Sequence, residues 1–327
     1  MEWQCTGLRW PEERGGPVLG WRKGREVRGS ALAYGSAFGF RAEGVRGCAG
    51  ARGNACPVGA VVPARSTGGR CPECGRLDRA HSVAADTIPD DPRTYRVYLA
   101  WFGPGMVKVG ITGEERGAAR LREQGAVVFS WLGRGPLMAA RRAEELLRAA
   151  LGVPDRIPYA RKRAVRARLP GVEERAGEVA ELYGRAVALD GGGWPEALER
   201  LPFEAVDHAG IFGIGTGTGP GIAAVGGGHA ENPGTGTGAV TGTAVGDGDR
   251  AGGVVRVVTG LVGGGAVAGR LVAAAGPDLH LETGADGVVV LDTRLMTGWA
   301  LAAAGPGAGV SVPTAGIGGA VSQDGLF

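Results

Sequence analysis

The chain reads as an α+β protein, and three observations carry that reading. Residues 95–126 run strand, turn, strand, helix: Y-R-V-Y-L-A-W, a Gly-Pro-Gly turn, M-V-K-V-G-I-T, then E-E-R-G-A-A-R-L-R-E-Q-G-A. β-Branched and aromatic runs on either side of turn residues are the mark of paired strands. Residues 137–151 set Leu137, Ala140, Leu147 and Leu151 at helical spacing. Short apolar runs bounded by glycine stand at both ends of the chain, as the strands of small β units do.

In chain order, residues 17–21 and 30–34 are the first predicted strands, within an N-terminal β segment over 1–47. A cysteine-bearing segment covers 48–86. The Asp90-Asp91-Pro92 break then opens a central α/β domain over 93–206. Its third strand is 127–132, and its helices are 137–151, 161–169 and 172–189. A linker over 207–252 is built from Gly, Thr, Ala and Pro, with G-T-G-T-G occurring twice. Such a segment buries too little apolar surface to offset its ordering entropy, which predicts disorder. It has no lysine and no G-x-x-x-x-G-K-[ST] pattern, so it is not read as a phosphate loop. A small β unit over 253–304 follows, with strands at 253–259, 270–274, 279–283 and 287–291. A flexible Gly/Ala tail closes the chain over 305–327. Neither terminal β piece is large enough to hold a core alone, so the N-terminal strands are expected to complete the C-terminal unit.

Composition sets the outer bounds. A length of 327 residues suits about two domains. The 64 glycines far exceed ordinary usage and imply that part of the chain packs no core. The net charge of +3 conceals an uneven distribution. Residues 116–168 hold thirteen Arg or Lys against four Asp or Glu, a net of +9, which leaves −6 for the remainder. A local basic excess on a mildly acidic chain predicts a polyanionic partner, nucleic acid. A solvated helix surface in a chain that uses Arg almost exclusively would look the same; only Lys23, Lys108 and Lys162 are lysines. No charged n-region with an apolar h-region opens the sequence, so secretion is not indicated. The longest apolar stretch, 257–269, is short of the ~20 residues a spanning helix needs. A cytoplasmic protein with no membrane partner is expected.

Cys71-Pro72-Glu73-Cys74-Gly75 is a knuckle that points two thiolates at one metal. Cys56 and Cys48 precede it. Four cysteines with one tight pair fit a structural zinc, whose tetrahedral thiolate set leaves no open position for chemistry. Cys5 is left over, and His81 is an alternative ligand. Redox and disulfide readings compete. No βαβ pattern surrounds the pair, and a reducing compartment disfavours stable disulfides.

The central segment resembles the opening of the GIY-YIG nuclease superfamily. Arg96-Val97-Tyr98 stands where that superfamily has Gly-Ile-Tyr, and Lys108-Val109-Gly110 where it has Tyr-Ile-Gly. Most of the chain is also similar to a bacterial family catalogued as domain of unknown function 2797. That likeness runs through W-Q-C-T-G-L-R-W (3–10), the knuckle and Leu77-Asp78-Arg79-Ala80. It continues through D-D-P-R-T-Y-R-V-Y-L-A-W-F-G (90–103), L-G-R-G-P-L-M-A-A-R-R (132–142) and Leu291-Asp292-Thr293-Arg294. It implies a zinc-knuckle segment joined to a GIY-YIG-like domain.

The superfamily resemblance implies a role for each matching residue. Tyr98 would position or deprotonate the attacking water, and Lys108 would hold Tyr98 as phenolate. Arg120 would neutralise charge on the phosphoryl group, with Arg116 as the alternative because the interval from Gly110 to Arg120 is longer than usual. A glutamate would hold one Mg²⁺. Helical phase selects Glu144, which falls on the stripe of Leu137, Ala140, Leu147 and Leu151, whereas Glu145 sits between Arg141 and Arg148 at ion-pair spacing. Arg161, Lys162 and Arg163, the densest basic cluster, are the expected nucleic-acid contacts beside Arg116. Three functions stay open: a metal-dependent endonuclease acting on DNA or RNA, an inactive nucleic-acid binder, and an assembly module with structural zinc.

Overall fold

Each β-rich run of the sequence finds a partner in one of two sheets. A computed structural model of the protein describes residues 3–12, 15–80, 91–154, 156–166, 169–189, 194–215, 255–284 and 287–317. The chain begins with β1 (Gln4–Arg9), β2 (Val18–Lys23), β3 (Glu26–Ala31) and β4 (Ala37–Glu43), followed by a short helix, α1 (Pro72–Arg79). The central part runs β5 (Thr94–Trp101), β6 (Val107–Gly113), α2 (Ala119–Gln124), β7 (Val128–Pro136) and α3 (Leu137–Leu151). It continues with α4 (Tyr159–Arg166), α5 (Val172–Val187), β8 (Glu199–Arg200) and β9 (Val206–Asp207). The last strands are β10 (Arg256–Val258), β11 (Ala266–Ala275), β12 (Asp278–Thr283), β13 (Gly287–Asp292), β14 (Ala300–Ala303) and β15 (Thr314–Gly316). The α+β class read from the sequence is the class observed.

The first and last strands share one ten-stranded sheet, ordered β15-β10-β13-β12-β11-β4-β14-β1-β2-β3. The terminal strands therefore do complete one another: β4 lies between β11 and β14, and β1 pairs with β14. The core of this sheet gathers Trp10, Phe40, Leu271, Leu281, Leu291 and Trp299. The central strands form a second sheet, β6-β5-β7-β8, with β9 also on β7.

Strand β5 is the axis of the second sheet. Its odd positions, Tyr95, Val97, Leu99 and Trp101, face a core shared with α3 and α5. Its even positions, Tyr98, Ala100 and the following Phe102, face a smaller core with Leu121, Phe129 and Ile157. A period of two along a strand buried on both faces gives this split. Helix α3 spans the predicted residues and ends on Gly152 in the left-handed region (φ 65), where a residue without Cβ carries no steric penalty.

Two boundaries differ from the composition-based reading. Residues 207–215 were assigned to the linker, yet His208, Phe212 and Ile214 are buried, the last two in the large sheet's core. Ile211, Phe212 and Ile214 supply enough apolar surface to anchor this stretch despite its glycines. The remainder of the predicted linker, 216–252, lies outside the described residues. In the predicted tail, β15 pairs antiparallel with β10, while 318–327 lies outside the described residues. No described helix is long and apolar enough to cross a membrane.

Candidate metal centre and cationic cavity

The knuckle sequence builds its own geometry. Pro72 takes the first turn of α1, where its missing N–H is not needed, and this leaves Cys71 at the N-cap with Cys74 three residues on. Cys48 and Cys56 approach from the preceding loop. The four sulfur atoms lie within 4.8 Å of one another, with Cys56 Sγ 4.0 Å from Cys71 Sγ. Backbone amides of Gly50 (3.3 Å) and Cys71 (3.1 Å) donate to Cys48 Sγ. Such donors favour thiolate. The Cys56 thiol is drawn down to about 6, chiefly by backbone hydrogen bonding at Ala60, while burial pushes Cys74 up to about 12. The set of donors suits a divalent soft cation. Cys5 is separate: it is fully buried in the large sheet's core, and burial pushes its thiol up to about 12. His81 lies outside the described residues.

The second feature is a cavity of about 1230 Å³ against β6, the edge strand of the smaller sheet. Tyr98, Lys108, Arg116, Arg120 and Glu144 all line it. So do Lys162, read from the sequence as a nucleic-acid contact, and Gln124, Tyr159 and Arg294, to which the sequence assigned no role. Nine Arg or Lys side chains face it against three carboxylates, Asp78, Glu115 and Glu144.

The strand register sets the tyrosine. Tyr98 pairs across with Gly110, and a Cβ at that position would strike the Tyr98 ring. The glycine of K-V-G is thus a seat for the ring. Pairing between β5 and β7 slips at Val97/Tyr98, a bulge of the kind that re-aims a side chain. Tyr98 is buried, and its oxygen accepts from Gln124 Nε2 at 2.8 Å. Gln124 Oε1 in turn accepts from Lys108 Nζ at 3.0 Å. A lysine ammonium only donates, so it fixes the oxygen of Gln124 toward itself and the amide nitrogen toward Tyr98. Lys108 thus reaches the Tyr98 oxygen through Gln124, its Nζ standing 5.9 Å from the ring centroid. Burial raises the Tyr98 phenol above its ordinary value, against the hydrogen bond from Gln124 and the charge of Arg120. The ring is held as a neutral phenol.

Arg116 and Arg120 both turn toward Glu123, at 2.7 and 3.5 Å. Glu144 is half-buried on the cavity wall and electrostatically coupled to Tyr98, whereas Glu145 is exposed.

The basic run 161–163 divides. Arg161 is exposed. Arg163 bridges the buried Asp278 and Asp292, both at 2.6 Å, and Arg166 joins Asp278 at 2.9 Å. Lys162 is buried on the cavity wall, donates to the Gln124 main-chain oxygen at 3.0 Å, and lies 3.8 Å from the Phe102 ring centroid. Gln124 was legible only as the end of R-E-Q-G, and its two-sided role depends on strand pairing. Arg294 stood in the L-D-T-R motif, but nothing local shows that it reaches a distant domain.

The family described as "Protein of unknown function (DUF2797)" matches residues 39–216, more than half of the chain. Neither the curated proteins nor the solved structures hold a match to it.

Proposed function

The chain belongs to the DUF2797 family, and from that premise we propose that it is a cytoplasmic nucleic-acid-binding protein whose cationic cavity receives the phosphodiester backbone and cleaves it as a divalent-metal-dependent endonuclease. The supporting observation is the convergence of Tyr98, Arg116, Arg120 and Glu144, from separate elements, on one wall with a large cationic excess. Fixed cations in a concave site concentrate a polyanion and stabilise charge that develops on phosphoryl oxygens.

Within this reading each side chain has a task. Tyr98 accepts from Gln124, which leaves its O–H proton free to orient the attacking water or a phosphoryl oxygen. Lys108 keeps Gln124 in the orientation that makes this possible. Arg120, with Arg116 beside it, neutralises phosphoryl charge through a planar guanidinium. Glu144 is the ligand offered to Mg²⁺, whose bound form would supply Lewis-acid polarisation of the phosphoryl group. The four cysteines hold a structural zinc, a closed site with no position for substrate.

Incubation of labelled single- and double-stranded DNA and RNA with Mg²⁺ tests this reading. Cleavage that requires the metal and disappears in Glu144→Gln is the expected result. A binder without turnover is the second reading, favoured by the neutral, deeply buried Tyr98. Binding without cleavage in any substrate would select it, and absence of both would overturn the cleft altogether.

A further inference from the structure

The L-D-T-R motif belongs to the large sheet, yet its arginine opens into a cavity of the smaller one. Asp292 caps the turn that follows β13 by accepting from the Arg294 backbone amide at 3.1 Å. The same carboxylate accepts from Arg294 Nε (2.9 Å) and Nη2 (2.6 Å), and from Arg163 Nη2 (2.6 Å). Asp292 is thus the joint between α4 and the large sheet, and it orients Arg294. One edge of that guanidinium is occupied by Asp292. Its Cζ stands 4.3 Å from the Tyr159 ring centroid. Lys162 Nζ stands 4.6 Å from the centroid of the same ring. Two cations therefore flank one aromatic ring on a cavity wall.

No described carboxylate pairs with Lys162. Burial, together with Arg166, Lys108 and Arg294, draws its amine down to about 7, with Asp278 acting in the opposite sense. A cation kept in such a place works against the fold unless an anion joins it. A perturbed cation that faces a cleft marks a candidate ligand site.

We propose that Lys162 and Arg294, set around Tyr159, form an anion subsite that takes one phosphate group of the nucleic acid, so that the C-terminal part of the chain completes the cleft of the central domain. This rests on the nucleic-acid reading only for the identity of the ligand. Lys162 is the charge created on binding, and Arg294 is the permanent one.

The groups that face Lys162 are Tyr159 and Arg166 on its own helix, Lys108 from β6, Arg294 from the turn after β13, and Asp278 from β12. A bound phosphate adds negative charge to this set and favours the protonated amine. Binding should therefore take up a proton at pH 8 and weaken as pH rises from 7 to 9.

The test titrates the full chain with inorganic pyrophosphate by calorimetry, in two buffers of different ionisation enthalpy. It is repeated with single-stranded oligonucleotides bearing a 5′-phosphate or a 5′-hydroxyl. Lys162→Met and Arg294→Gln should each weaken pyrophosphate binding about tenfold or more, and Lys162→Met should also abolish the proton uptake. Arg270→Gln, which removes an exposed partner of Glu282 on the large sheet, should change nothing. If Lys162→Met does not fold, Arg294→Gln decides, because that side chain is partly exposed. A preference for the 5′-phosphate places a strand end in the subsite, and equal binding places an internal phosphate there. Failure of pyrophosphate to bind, or parental affinity in Arg294→Gln, overturns the subsite. Pyrophosphate binding that depends on both residues, with no affinity for any oligonucleotide, retains the subsite and removes the nucleic-acid reading.

Discussion

The four-cysteine cluster and the cationic cavity each crowd groups that repel one another once charged, with opposite sign. The cysteines come from one short span, 48–74, and close on a space of the size that one cation would fill. The cavity collects its charges from α1 to Arg294, across both sheets, and stays open to solvent-sized molecules. A closed site couples its ligand to folding, because the unfolded chain cannot reproduce it. An open site built on elements that already pack can lose its ligand without unfolding. Removing a cysteine should therefore harm the fold, whereas removing a cavity cation should harm binding only.

The largest effect is expected at the cysteines. Cys71→Ser, or a strong chelator, should lower thermal stability by many degrees, and elemental analysis should find about one zinc per chain. A metal-free protein of full stability would erase the contrast between the two sites. A comparable loss is expected at Asp278, which is buried beneath Arg163 and Arg166. Asp278→Ala takes from Arg166 its carboxylate partner among the described residues and leaves Arg163 with Asp292 alone, and should cost roughly 3–5 kcal/mol in a denaturant titration. That loss belongs to the joint between the sheets rather than to the cavity.

Acid offers a milder perturbation. Burial draws His208 down to about 4 and His280 down to about 3, so both are neutral in the folded protein at pH 7. Their folded values lie below the unfolded one near 6.5, so the unfolded chain binds more protons as pH falls. Stability should be intact above pH 6.5 and decline steadily toward pH 4, by on the order of 3 kcal/mol for each histidine. Melts across that range check the slope, and His208→Gln should flatten it.

Lys162 places its stability change above neutral pH, where the histidines contribute none. Its folded value near 7 lies below the ordinary 10.5, so its stability penalty grows as pH falls from 10.5 to 7 and is constant below. Lys162→Met should be at least as stable as the parent at pH 9, and its advantage should widen down to pH 7. A variant less stable at every pH would mean that the lysine is a structural support, as the cysteines are.

The contrast between the sites also explains what the sequence made legible. The knuckle was readable because Pro72 and the Cys71–Cys74 interval impose a local geometry. Glu144 could be told from Glu145 because helical phase is periodic, whereas Tyr98 and Lys108 were picked out by the resemblance alone. The basic run 161–163 was not readable in the same way. Consecutive residues on a helix turn by about 100°, and only the tertiary neighbours decide that Arg161 meets solvent, Lys162 the cavity and Arg163 two buried aspartates. Gln124 and Arg294 were hidden for a related reason. One acts across a strand pair, and the other crosses from a second sheet.

The central claim is that the open site takes a polyanion, and the salt dependence of nucleic-acid affinity tests it most directly. Fluorescence anisotropy of a labelled oligonucleotide should give an affinity that falls steeply with rising salt, because each phosphate contact releases counterions. Arg120→Gln should weaken binding and reduce the logarithmic salt slope by about one, with Arg270→Gln unchanged. Affinity indifferent to salt, or no affinity at low salt, would contradict the account.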